Sequence, residues 1–353
     1  MSKALLEAVV LGQLELANRV VMAPMTRSRA DDDDMPLGIH VDYYSQRASA
    51  GLIITEGVQP SKNGKGYCRT PGIYNPQQVE AWRKVVDAVH QKGGKIVMQI
   101  MHCGRVGSKL NKADDAETVA PSAIQCQDQI FANDGMVDMD MPRALRTEEI
   151  SAVIEEYRQA TANAFEAGFD GVELHCTSGY LPAQFLSTGT NQRTDQYGGT
   201  VENRIRFVLE TLAAMCDVAG ADRVGMRICP ANPFNDLHDD KPEETFSHLL
   251  DAVDSMGLAY LHVIRMTNTG LDNIALAKAH FHGPLIVNDS YREADANTVI
   301  SSGEADAVSF GRSFIGNPDL VERFRDEIPL SKFDPSTLYT AGAKGFSDYP
   351  KAE

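Results

Sequence analysis

The sequence predicts a single (β/α)8 barrel over residues 1–353, with a small N-terminal hairpin and a loop inserted after the third strand. Two observations carry this expectation. Eight short β-branched runs recur along the chain, and amphipathic helical stripes separate most of them. The runs are apolar throughout rather than alternating, as parallel strands covered on both faces should be. A third observation disfavours an open doubly wound sheet. That fold carries GxGxxG after its first strand, and here the corresponding stretch, MAPMTRSRA, holds no glycine.

Taken in order, VVLGQLEL reads as a hairpin able to close the barrel floor. The eight strands then follow as RVVMAPM, LIITEG, KIVMQIMH, GVELH, VGMRI, AYLHVI, PLIVN and AVSFG. Trp82, Val85, Val86 and Val89 fall at helical spacing, and Gly93 stops that stripe. Ile150, Val153, Ile154 and Tyr157 repeat the pattern, with Thr147 as candidate N-cap, two glutamates in the first turn and Gly168 past the end. Val201, Ile205, Val208, Leu209 and Leu212 make a third stripe. Phe246, Leu249, Leu250 and Val253 make a fourth, ended by Gly257. Fainter helical patterns surround Ile274, Val299 and Leu320. Residues 111–143 read as the inserted loop, and the acidic run at residues 31–34 as a solvated one.

Composition narrows the function. Lys plus Arg total 33 against 49 Asp plus Glu, a formal charge of -16, which repels phosphate backbones and anionic lipid. Nucleic acid and membrane are therefore not expected partners. No apolar leader and no ~20-residue apolar span appears, so a cytoplasmic location is expected. The six cysteines are scattered without a CxxC pair, which argues against zinc and iron–sulfur centres and for small core residues in a reducing compartment.

In such a barrel the chemistry gathers at the C-terminal ends of the strands. Those positions hold Thr26, Gly57, Gln99 with His102, His175 with Ser178 and Tyr180, Arg227, and the pair Gly311 and Arg312. No carboxylate cluster is among them, so no metal is expected and a two-carboxylate hydrolase is disfavoured. Each residue alone has a structural explanation: a buried histidine usually bonds backbone, and Arg227 could pair with Glu173. Their gathering at one end of one barrel favours a site. Gly311 and Arg312 follow the last strand, where this fold commonly binds phosphate.

Five stretches make a more specific comparison possible: NRVVMAPMTRSRA, YYSQRASAGLIITEG, PGIYNPQQVEAW, GYLPAQFLSTGTNQRTDQYGGTVENRIRFVLE and SFGRSFIGNPDLVERF. Together they resemble the old yellow enzyme family of FMN-dependent ene-reductases, over about residues 11–349. The resemblance implies FMN across the barrel mouth and NADH or NADPH as reductant. Ala23, Pro24, Met25 and Thr26 would flank the flavin ring, and Gly57 and Gln99 would meet its pyrimidine edge. Arg227 would lie near the edge that gains negative charge on reduction, a fixed cation that favours the reduced form. Gly311 and Arg312 would hold the phosphate, assisted by the backbone near Asp289 and Ser290. His175 and Ser178 would clamp the oxygen of an electrophilic alkene, and Tyr180 would protonate its α-carbon. Tyr67, Met101, Phe234 and Tyr339 match positions lining the substrate pocket.

The chain also departs from the family pattern. Ser178 stands where a His or Asn is expected, and its shorter side chain makes a poorer oxyanion donor. Met101 replaces a tryptophan common in classical members, and Asp289 and Ser290 replace small residues near the phosphate. The expected activity is ping-pong reduction of activated C=C bonds, with nitro compounds and nitrate esters as further acceptors. Two alternatives stand beside it: an FMN barrel oxidase or dehydrogenase of 2-hydroxy acids, and a weakly catalytic barrel that senses flavin or phenolic ligands. The sequence leaves monomer and homodimer equally open.

Overall fold

The computed structural model describes residues 3–132 and 135–352. Eight parallel strands close into a barrel: β1 (Val20–Met22), β2 (Leu52–Ile54), β3 (Ile96–Ile100), β4 (Gly171–His175), β5 (Val224–Ile228), β6 (Tyr260–Ile264), β7 (Leu285–Asn288) and β8 (Ala307–Phe310). Neighbours pair in chain order, and β8 returns to β1 with Val308 opposite Val20. Each strand falls in one of the apolar runs that predicted it.

The four helical stripes become Pro76–His90, Thr147–Glu166, Val201–Ala219 and Pro242–Asp254. Gly93, Gly168 and Gly257 follow three of them with positive φ, the conformation that lets the chain leave a helix. One cap differs from expectation. Arg146 occupies the N-cap position and Thr147 begins the helix, because the Glu149 carboxylate accepts the Arg146 N–H at 2.7 Å. The fainter patterns become Asn273–His280, Glu293–Ser301 and Leu320–Asp326. Gly38–Gln46, Leu181–Leu186 and Arg312–Gly316 were not foreseen, being too short for an apolar period to repeat convincingly.

The hairpin, Val9–Leu11 with Leu14–Leu16, does close the floor. Leu11, Leu14 and Leu16 pack with Val21, Leu52, Ile54, Val97, Tyr260 and Ile286 inside the barrel. Residues 111–143 are more ordered than a loop. Val119–Ala120 pairs with Arg143–Ala144, and Gln129–Ala132 forms a hairpin with Gly135–Asp138. The acidic run is not wholly solvated either. Asp34 is buried because Lys65 pairs with it and the Tyr74 hydroxyl donates to it at 2.9 Å.

The segment after β8 returns across the mouth and is held there by three buried arginines. Arg29 donates to the carbonyls of Gly342 (2.9 Å), Leu338 (3.0 Å), Thr337 (2.8 Å) and Lys344 (2.9 Å). Arg27 donates to Leu338 (3.1 Å) and Gly345 (2.6 Å), and Arg47 to Phe314 (2.9 Å) and Ile315 (3.0 Å). The planar five-donor guanidinium suits this task, since one head can satisfy several carbonyls of an irregular segment. Aromatic faces complete the seat: Arg29 lies 4.7 Å from the Phe346 ring centroid and Arg47 4.0 Å from that of Tyr43. Burial lowers both guanidinium groups to about 10, which leaves them charged at neutral pH.

Candidate active site

A cavity of about 790 Å³ opens at the C-terminal end of the barrel. Of the expected residues, Pro24, Met25, Thr26, Tyr67, Gln99, Met101, His175, Ser178, Tyr180, Arg227, Phe234, Arg312 and Tyr339 all line it. The ends of β1, β3, β4, β5 and β8, with the segment around Tyr339, therefore bring together side chains from Pro24 to Tyr339.

Some expected residues do not line the cavity. Ala23 is buried in the wall behind it. Gly57 is covered by Met101: a Cβ there would fall 2.5 Å from the methionine sulfur. Gly311 sits behind Met25, whose sulfur would be 3.4 Å from an added Cβ. Asp289 and Ser290 form a turn after β7 with φ of 85° and 60°, the left-handed conformation that small residues adopt most readily. His102 is a core histidine instead, fully buried, with Nδ1 accepting the Gly104 N–H at 3.0 Å.

Beneath the cavity lies a buried polar layer. Gln99 Nε2 donates to Glu173 Oε1 at 2.7 Å, and the other Glu173 oxygen is 2.9 Å from His262 Nδ1. His262 Nε2 lies 2.6 Å from Arg227 Nη1 and 2.7 Å from the Ser309 hydroxyl. Arg227 Nη2 donates to Asn288 Oδ1 at 2.7 Å. These contacts fix one tautomer: the Nδ1 proton goes to Glu173, and Nε2 accepts from Arg227. Burial lowers the His262 pKa to about 4, so the ring is neutral and can accept. Burial opposes the Glu173 charge, yet His262, Arg227 and Gln99 outweigh it and hold the carboxyl below its ordinary value. Arg227 is thereby held at two acceptors with its head beside the cavity.

Above that layer the chain leaves β4 through a tight turn. Ser178 and Gly179 both have positive φ (58° and 79°), and the Tyr180 N–H donates to Thr177 O at 3.2 Å. A side chain at position 179 would press a Cβ to 2.7 Å from that of Asn235. The turn places the His175 and Tyr180 rings edge to face, centroids 4.8 Å apart. His175 Nδ1 is buried with no protein partner. Burial lowers its pKa to about 3 and raises that of Tyr180 well above the ordinary phenol value, so both groups are neutral. The Tyr180 hydroxyl lies 3.0 Å from that of Tyr67.

Several functional residues escaped sequence reasoning. His262 and Ser309 interrupt largely apolar strands and Asn288 ends one, all three at the same inward parity as Arg227 and Glu173. That parity was readable. Asn235, by contrast, acts through loop contacts that no period reports.

A family model described as the NADH:flavin oxidoreductase / NADH oxidase family matches residues 4–331. The chain belongs to that family. Among curated relatives, a Leishmania infantum protein named "Probable flavin mononucleotide-dependent alkene reductase" is 42% identical, over 98% of this chain and 97% of its own. Morphinone reductase solved with tetrahydroNAD is 44% identical with a TM-score of 0.95, covering 99% of this chain and 98% of that one. The old yellow enzyme homologue of Zymomonas mobilis is 38% identical with a TM-score of 0.96, covering 99% and 100%.

Membership in this family makes FMN the cofactor and a nicotinamide the reductant. The residues present fit a flavin. The cavity is wide, its floor carries a fixed guanidinium beside the Gln99 amide, and Arg312 stands at its rim. His175 stands at its wall as a neutral ring, its Nδ1 buried behind that wall. The 2-hydroxy-acid oxidase and ligand-sensor readings find no support among these relatives.

Proposed function

We infer that this chain is an FMN-dependent NAD(P)H oxidoreductase that reduces electrophilic alkenes such as α,β-unsaturated carbonyls and nitroalkenes. One observation carries the site assignment: a neutral His175 and a neutral Tyr180 line the same cavity as the fixed Arg227. Bound there, FMN supplies two-electron chemistry, accepting hydride from the nicotinamide and returning it to the alkene.

The protein's own residues do the rest. Gln99 and Arg227 would hold the flavin's polar edge, and Arg312 with the backbone at Asp289, Ser290 and Gly311 its phosphate. Pro24, Met25 and Thr26 would bracket the ring. His175, with Ser178 beside it, would donate to the substrate carbonyl and stabilise charge developing on that oxygen. Tyr180 would deliver a proton to the α-carbon. Tyr67, Met101, Phe234 and Tyr339 would shape the alkene's seat, and Phe131 and Met136 from the inserted hairpin extend it with apolar surface. That mouth suits an alkene borne on a bulky apolar framework.

The protein should act as one domain, monomeric or homodimeric, in the cytoplasm and away from nucleic acid. The charge of -16 supports the last point, and six free cysteines support a reducing compartment. Among the described residues no helix is long and apolar enough to cross a membrane. The test is anaerobic: NADH or NADPH should bleach the yellow protein, and cyclohexenone should restore its colour. Protein that stays colourless after incubation with FMN would remove the assignment.

A further inference from the structure

The Tyr180 hydroxyl has two places to send its proton, and only one serves catalysis. If it donates to Tyr67, 3.0 Å away, its proton points away from the substrate. For Tyr180 to protonate a carbon, the bond between the two phenols must run the other way, from Tyr67 to Tyr180. The structure contains a device that favours that direction. Asn235 Nδ2, which can only donate, lies 3.5 Å from the Tyr67 oxygen and donates to the Ser178 carbonyl at 2.8 Å. A donor at Tyr67 occupies one lone pair and leaves the Tyr67 proton free to turn toward Tyr180.

Asn235 is firmly seated for this work. It is buried, adopts a left-handed backbone (φ 57°), and its carbonyl accepts from Arg105 Nη2 and the Cys126 thiol, each at 3.2 Å. Its Cβ packs against Gly179, between the clamp and the acid.

We propose that Asn235 and Tyr67 are positioning residues that set the hydrogen-bond direction, so that Tyr180 presents its proton to the substrate. The proposal rests on the reductase reading above. In the step, addition of hydride at the β-carbon would send the alkene π pair onto the oxygen that His175 would hold. The Tyr180 O–H bond then breaks as a C–H bond forms at the α-carbon. The phenolate left behind accepts the Tyr67 proton as a hydrogen bond, in a site where burial penalises that charge. Water entering the open cavity restores the proton.

The test compares acceptors that differ in their need for the acid. An enone requires protonation at carbon, whereas a nitroalkene can leave as its nitronate and gain that proton later in water. Reduced holoenzyme is mixed anaerobically with cyclohexenone or with nitrostyrene, in wild type, Tyr67→Phe and Asn235→Asp. Asn235→Asp is near-isosteric but puts an acceptor where the donor was, which should draw the Tyr67 proton away from Tyr180. In both variants the enone-to-nitroalkene rate ratio should fall at least tenfold, and the solvent deuterium isotope effect on the enone step should rise. A general disturbance of the pocket would move both rates together. A ratio within twofold of wild type in either variant would overturn the proposal, with thermal melting confirming that each is folded. Failure of wild-type reduced enzyme to react with either acceptor would instead remove the reductase reading.

Discussion

Arg227 Nη1 lies 2.6 Å from Nε2 of His262, a cation donating to an imidazole. The arrangement works only while that imidazole is neutral. A second proton on His262 would set two buried positive groups against each other.

Acid should therefore weaken the fold. His40 and His262 are lowered to about 4 by burial, and His102 and His175 to about 3. Unfolded, all four would take up protons near the ordinary value of 6.5, so unfolded chain binds more protons than folded below that pH. Buried Glu56, raised to about 7, opposes them by one, leaving a net uptake of about three protons near pH 5. Stability from these histidines is fully present above pH 6.5 and lost as pH falls toward 4. Urea midpoints should drop between pH 7.5 and 5, and a constant midpoint would contradict the assignment.

Ser178→Asn should quicken enone reduction. The carboxamide reaches farther than a hydroxyl, and asparagine tolerates the left-handed backbone already present at that position (φ 58°). An added oxyanion donor should raise the rate on the order of tenfold to a hundredfold. Stopped-flow reoxidation by cyclohexenone measures it; an equal or slower rate would count against the clamp.

Met101→Trp should change which face of the alkene is reduced. The methionine now lies over Gly57, in space that a Cβ would fill. A rigid indole cannot follow that path and must stand in the cavity. Gly57→Ala, by displacing the thioether, should shift product chirality in the same direction. Chiral chromatography of a prochiral enone's product decides the matter, and unchanged enantiomer ratios in both variants would refute it.

Arg29→Met should loosen the wall formed by Leu338, Tyr339 and Thr340. It strips donors from four backbone carbonyls of that segment, at a cost of about 3 kcal/mol or more. We expect a lower melting temperature, protease cleavage near residue 340, and an enone KM raised more than kcat is lowered. Intact resistance to protease would show that other contacts hold the segment.

Much of this was legible in the chain. The barrel strands announced themselves as apolar runs because parallel strands are buried on both faces. His175, Ser178, Tyr180 and Arg227 stood out as polar groups at strand ends. The polar layer under them was partly hidden: His262 sits mid-strand, where one polar letter looks like an exception until the inward parity of its neighbours is aligned. Asn235 and Arg29 were invisible for a different reason. Their shorter contacts go to backbone atoms of distant segments, Ser178 in one case and residues 337–344 in the other, and a carbonyl leaves no mark in a sequence.

The mouth of the barrel joins the segment after the first strand to residues 337–345, with Arg27 and Arg29 gripping carbonyls some three hundred residues downstream. Those two guanidinium groups meet most of their acceptors only once residues 337–345 have been made. A chain halted before residue 337 would carry His175, Ser178 and Tyr180 yet lack the wall that encloses them.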